Sequence, residues 1–241
     1  MNYELRNVLR ARWLYLYAAM FFATSALAVA FSEGTERTLL VLAHVSLLVI
    51  PLISAVAAAN STYGRRAYDE FLLTQPVSRA SVYFAAVFAL VIAFAASVVV
   101  PVAMVVVPAG LPLRETLLVL SANFGLSSVS VLAGIVVATW VEDRARGLGT
   151  LLVVWFVGAL VYDALLLYAI VLFEEYPMEP LLEVAVLLNP IDAVRLLLYQ
   201  DLGLRFLLPV AVPGAAVWVS LFLWSSLLLV VGFQVFARKD F

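Results

Sequence analysis

The 241 residues include no cysteine, one histidine and one lysine, and only 12% of them are charged. Without cysteine there is no disulfide, no thiolate metal site and no cysteine nucleophile. A single histidine, His44, cannot form an HExxH zinc pair or any histidine metal pair. Its place inside an apolar run also removes the loop histidine that a Ser/His/Asp triad would need. The only lysine is Lys239, and Gly147 and Gly149 are not followed by a Lys-Ser/Thr pair, so no phosphate-cradling loop is present. Any use of ATP must fall to another chain. The methionines Met1, Met20, Met104 and Met178 are scattered without paired spacing, which argues against a soft-metal relay through this chain. No catalytic residue, no metal site and no nucleic-acid partner is expected.

What the chain has in abundance is apolar residues, 66% of the total, with a mean hydropathy of +1.10. Soluble domains sit nearer half. A membrane-spanning helix needs about 20 mostly apolar residues, and six runs qualify: 13–31, 38–60, 81–108, 116–140, 148–173 and 212–236. They are too long and too uniformly apolar for barrel strands, which alternate over about 10 residues. The expected fold is therefore an all-α integral membrane protein, residues 1–241 forming one bundle in the lipid bilayer. The stretch MNYELRNVLRARW leads into a full span with no small-residue cleavage site, so it does not read as a removable signal peptide. Leu5, Val8 and Leu9 recur there at helical spacing, which predicts a short amphipathic helix on the membrane surface.

Loop charges predict orientation. Ten basic residues (Arg6, Arg10, Arg12, Arg65, Arg66, Arg79, Arg144, Arg146, Arg238 and Lys239) fall on the side of the two termini, against four (Arg37, Arg114, Arg195 and Arg205) on the other. The positive-inside rule then puts both termini in the cytoplasm of a multi-pass protein, in the inner membrane.

Three polar features stand out from the apolar background. The first is an island at 63–79, YGRRAYDEFLLTQPVSR, between the second and third runs. It reads as a cytoplasmic loop, 61–80, carrying a short helix ended by a proline turn, with Ser78 able to cap the next span. Solubility alone does not call for Phe71, Leu72 and Leu73 among Arg65, Arg66, Tyr68, Asp69, Glu70, Pro76 and Arg79, so a protein-docking face is the better account, with a helix on the lipid interface as the competing one. The second feature is the 174–206 segment, expected to form an extracytoplasmic helical hairpin or re-entrant cap. Asn189 caps its second helix, Pro190 takes the first helical position, and Asp192 places negative charge at the positive end of the dipole. Asp192 and Arg195 stand three apart and can pair. The third feature is intramembrane: Asp163, whose charge costs about 2.5–3.5 kcal/mol at a helix centre, and His44. Either Asp163 relays protons or couples motion, or it makes an interhelical or intersubunit hydrogen bond with Tyr162, Tyr168 or His44 as donor; for His44, a packed hydrogen-bonded role is expected.

With these residues in hand, the chain resembles the permease subunits of type-2 ABC transporters. The resemblance rests on six spans, on 4–13 as an elbow helix, on Glu70-Phe71-Leu72-Leu73-Thr74-Gln75-Pro76-Val77-Ser78-Arg79 as the first cytoplasmic loop, and on a re-entrant segment before the last span. Over 125–198 it is similar to the NosY family, through Trp155-Phe156, Asp163 and Asn189-Pro190-Ile191-Asp192 with Arg195. The approach to the loop departs from that pattern at Tyr63-Gly64-Arg65-Arg66. The resemblance implies a homodimer, a cytoplasmic NosF-like ATPase dimer that binds ATP and Mg and docks on the 63–79 island, and a periplasmic NosD-like partner that handles copper for nitrous oxide reductase maturation and meets Asn189, Pro190, Asp192 and Arg195. This chain would bind no cofactor itself. A lipid, drug or peptide exporter and a passive anchor or channel remain as alternatives.

Overall fold

A computed structural model describes residues 12–32, 34–173, 176, 178–202 and 210–239. Among the described residues all regular structure is helical: α1 Arg12–Phe31, α2 Thr35–Leu73, α3 Arg79–Val106, α4 Leu113–Trp140, α5 Arg144–Leu172, α6 Glu179–Leu188, α7 Pro190–Asp201 and α8 Gly214–Arg238. Six of them, α1 to α5 and α8, are long and apolar enough to cross a membrane. Helices are the form that satisfies every backbone group within one segment where no water is present. The surface helix expected over 4–10 lies outside the described residues.

The central element is α4, which packs against α2, α3 and α8, with α1 lying across α3. In lipid, helices associate through close van der Waals packing, so small residues collect at the seams. Ala55, Ala58 and Ala59 of α2 are buried, as are Gly134 and Ala138 of α4. The approach is closest at Gly134, where an added Cβ would lie 2.2 Å from the Ala55 carbonyl oxygen. Ala55 faces Gly134, and Tyr63 Oη donates to the Val141 carbonyl at 3.0 Å, so residue numbers rise together and α2 and α4 run parallel.

Two features of the bundle differ from the sequence expectation. The second run does not end near residue 60: α2 continues through the island to Leu73 as one 39-residue helix. The drop in hydropathy marks where apolar surroundings end, not where hydrogen bonding stops. Residues 61–73 contain no proline, and Gly64 alone costs only about 1 kcal/mol. The Arg65–Asp69 pair at i,i+4 supports this turn, with side chains only 10% and 8% exposed. The chain then turns at Thr74–Val77, and Ser78 Oγ accepts the Ser81 N–H at 3.2 Å to start α3. The second difference lies in α5, which carries a π-helical turn at Val157–Val161.

Several buried polar atoms are left without partners among the described residues, and Asn123 contributes two of them. Asn123 of α4 is fully buried and neither its Oδ1 nor its Nδ2 has a hydrogen-bond partner among the described residues. A buried group in that state costs about 1–3 kcal/mol. Asn123→Val is therefore expected to leave stability unchanged or raise it by about 1 kcal/mol, read as the midpoint of thermal unfolding in detergent; a clear loss would show that Asn123 has a partner.

Candidate functional site

Polar side chains gather at the two ends of the bundle. At the basic end, the island divides into an inward brace and an outward tip. Arg66 donates to three carbonyls at the end of α4, Ala138 at 2.7 Å, Glu142 at 2.6 Å and Val141 at 3.0 Å, and lies over the Tyr63 ring. A guanidinium suits this place, since the last carbonyls of a helix lack partners and carry partial negative charge. Arg79 does the same for α8, donating to the Ala237 and Lys239 carbonyls at 2.8 Å each. Arg65 faces Asp69, and Asp69 is buried. Lys239 Nζ stands 3.9 Å from Glu142, and burial, with Arg66 close by, holds its ammonium below the usual lysine value. The basic residues of the island thus tie α2 and α3 to the ends of α4 and α8. The tip left facing outward consists of Glu70, Phe71 and 74–78, with Phe71 60% and Val77 42% exposed. Tyr68, Leu72 and Leu73 are half-buried.

At the acidic end, side chains that stand far apart in the sequence form one cluster. In the π turn of α5 the Tyr162 N–H bonds the Val157 carbonyl, five residues back, instead of that of Gly158. The Gly158 carbonyl accepts from Asn189 Nδ2 at 2.7 Å. The same Asn189 amide nitrogen donates to Asp192 Oδ2 at 2.8 Å, and its oxygen caps α7 by accepting the Ile191 N–H at 3.1 Å. Arg195 Nη1 then reaches Asp163 Oδ2 at 2.5 Å and Asp192 Oδ1 at 3.0 Å. The partner of Asp163 is thus Arg195, not Tyr162, Tyr168 or His44: Tyr162 Oη is spent on the Ala185 carbonyl at 2.7 Å, and His44 Nε2 meets Tyr199 Oη at 2.8 Å. Asn189 and Asp192 are buried and face the bundle, and Pro190 and Arg195 are half-buried. Burial, with Asp163 close by, raises the Asp192 carboxyl above the usual carboxylate range, against the pull of Arg195. Burial also raises the Tyr199 phenol. Among the described residues no three His, Asp or Glu side chains are arranged to hold a metal ion.

The sequence showed the local Asp192–Arg195 pair and the Asn189 cap, but not the pairings between residues far apart in the chain. The signal missed most completely was the brace, because an arginine that caps a helix 72 residues away looks, in sequence, like one that awaits a partner protein.

No family model matches the chain. Two relatives named "Probable ABC transporter permease protein NosY" do, one from Stutzerimonas stutzeri at 27% identity and one from Pseudomonas aeruginosa at 26%. Each comparison covers 98% of this chain and 96% of the relative. The chain is similar over nearly its whole length to these NosY permeases. The match spans both ends of the bundle, so the basic-end tip and the acidic-end cluster of the NosY-like chain lie within the compared length. ABC transporter permeases are membrane subunits and not catalysts, and this chain is a multi-pass helical membrane protein.

Proposed function

We propose that this NosY-like chain is the membrane subunit that passes ATP-driven motion from a cytoplasmic ATPase pair to a copper-handling protein outside the membrane, in the service of nitrous oxide reductase maturation. The observation that carries the reading is the tip of α2. Glu70 and Phe71 stand exposed at the end of α2 and Pro76 and Val77 in the turn after it, while Arg66 of α2 and Arg79 of α3 are already occupied in holding α4 and α8. Such a tip presents apolar surface to a protein partner while its support resists being pushed aside. ATP and Mg belong to the NosF-like ATPase, and the NosD-like protein to the acidic end. The proposed homodimer is supported by α5, whose face with Val153, Phe156, Leu160, Leu167 and Val171 is left uncovered by the bundle. The excess of basic residues at the tip end supports both termini lying in the cytoplasm of an inner-membrane protein.

The test is co-purification with a co-expressed NosF-like ATPase. Phe71→Asp combined with Val77→Asp is expected to reduce recovery of the ATPase at least tenfold, since core contacts of an interface are worth more than 1 kcal/mol each, while the variant chain stays monodisperse. Recovery at the wild-type level would remove the tip as the docking site. Arg66→Ala is expected to differ, lowering the unfolding midpoint of the chain on its own because the Ala138 and Glu142 carbonyls lose their guanidinium donor and Val141 keeps only Tyr63.

A further inference from the structure

Two carboxylates at the acidic end share one cation. We infer that the Asp163, Arg195 and Asp192 cluster is a proton-binding site whose proton is carried by Asp192, so that the hold of α7 on α5 responds to pH. Asp163 Oδ2 and Asp192 Oδ1 both lie within 3.0 Å of the same guanidinium nitrogen, Arg195 Nη1. The Asp192 side chain is 5% exposed. Two carboxylates and one guanidinium leave a surplus negative charge where it is poorly solvated, and neutralisation relieves that cost.

Among the described residues, the other groups packed around the cluster offer no second cation. From α7, Asn189 supplies only amide hydrogens. From α5, the Tyr162 hydroxyl is committed to the Ala185 carbonyl of α6. From α2, His44 reaches the cluster only through Tyr199. His44 Nδ1 lies 2.8 Å from the Leu40 carbonyl, which can only accept, so Nδ1 carries the hydrogen. Nε2 is left to accept from the Tyr199 hydroxyl, and the ring meets both contacts without a second proton. Of the other charges at this end, Arg114 pairs with Asp201 at 2.6 Å, and Glu179 and Glu183 are exposed. Burial, with Asp163 beside it, pushes the Asp192 carboxyl up to about 7.

The sign follows from linkage. A carboxyl whose folded value is raised favours the folded, docked state in its neutral form. Its contribution is whole at acidic pH and is lost as pH rises through about 7. Asp192→Asn fixes the neutral form and keeps an oxygen for the Asn189 amide.

The experiment uses the full chain alone in lipid nanodiscs and needs no ATPase, so its outcome is separate from that of the docking test. Infrared difference spectra between pH 5 and pH 9 read the carbonyl band of a protonated carboxyl, and amide exchange of α7, corrected for intrinsic rates, reads the hold of α7 on α5. In the wild type a carboxyl band is expected to titrate near neutrality, and opening of α7 is expected to increase about tenfold between pH 6 and pH 8. Asp192→Asn should abolish both. Asp163→Asn balances the charge of Arg195 with Asp192 alone, so it should move the titration down by at least one pH unit. A neutral-range band that survives in Asp192→Asn, or a midpoint that Asp163→Asn does not move, overturns the assignment.

Discussion

Replacing Gly134 with leucine is expected to leave no folded protein. The Cβ position at Gly134 falls 2.2 Å from the carbonyl oxygen and 3.0 Å from the Cα of Ala55. What it meets is backbone, which cannot swing away as a side chain would, so α2 and α4 must separate. That separation would open the seam lined by Ala55, Ala59 and Ala138. Even Gly134→Ala should cost about 1–3 kcal/mol, the usual range for overpacking. Leucine adds three further carbon atoms to the same place. The measurement is size-exclusion profile and thermal unfolding in detergent, with Gly149→Ala as the control, because nothing lies within 4 Å of that position. A monodisperse Gly134→Leu protein with the wild-type midpoint would mean that α2 and α4 do not meet as described.

Arg195→Met is expected to be the most damaging change at the acidic end. It removes the cation that pairs with both Asp163 and Asp192 and keeps a side chain of similar length. Breaking a buried pair by deleting one partner costs about 3–5 kcal/mol, and the low end applies here because Asp163 is 38% exposed. The loss should be smaller at pH 5 than at pH 8, since protonated carboxyls need no cation. The double variant Arg195→Met, Asp163→Asn should recover much of it, as groups in one network are not additive. Equal unfolding midpoints for Arg195→Met and wild type at pH 8 would dispose of the cluster as a stabilising element.

Much of this fold was legible before any coordinates. Six apolar runs announced six spans, because the length of a spanning helix is set by the bilayer and the 20-residue runs are hard to miss. The Pro76 turn and the Ser78 cap were legible too, since both act within a few residues. What was not legible shares a physical cause. Arg66 and the α4 carbonyls, Arg195 and Asp163, and Asn189 and the Gly158 carbonyl are separated by 72, 32 and 31 residues. Sequence shows that Asp163 needs a partner; only packing says which cation comes within reach. The π turn is harder still, because VGALV looks like any apolar stretch and the irregularity pays off only in the carbonyl it releases to Asn189. The length of α2 was misjudged for a simpler reason: hydropathy reports the solvent around a helix, and residues 61–73 change solvent without ceasing to be helix.

That unbroken length has a mechanical consequence. At 1.5 Å per residue, α2 is about 58 Å long against a hydrocarbon core of about 30 Å. Its tightest clasp is at Ala55, about 24 Å from Phe71 and about 17 Å from His44. A rod gripped between its ends is a lever of the first kind, so a sideways stroke at Phe71 arrives at His44 reversed and reduced to about two-thirds. The backbone ladder is interrupted by proline at Pro51, about one turn from the clasp. Compliance therefore sits on the His44 side of the fulcrum, so about two-thirds is the upper bound on the stroke that reaches His44, while the arm to Phe71 stays stiff along its length.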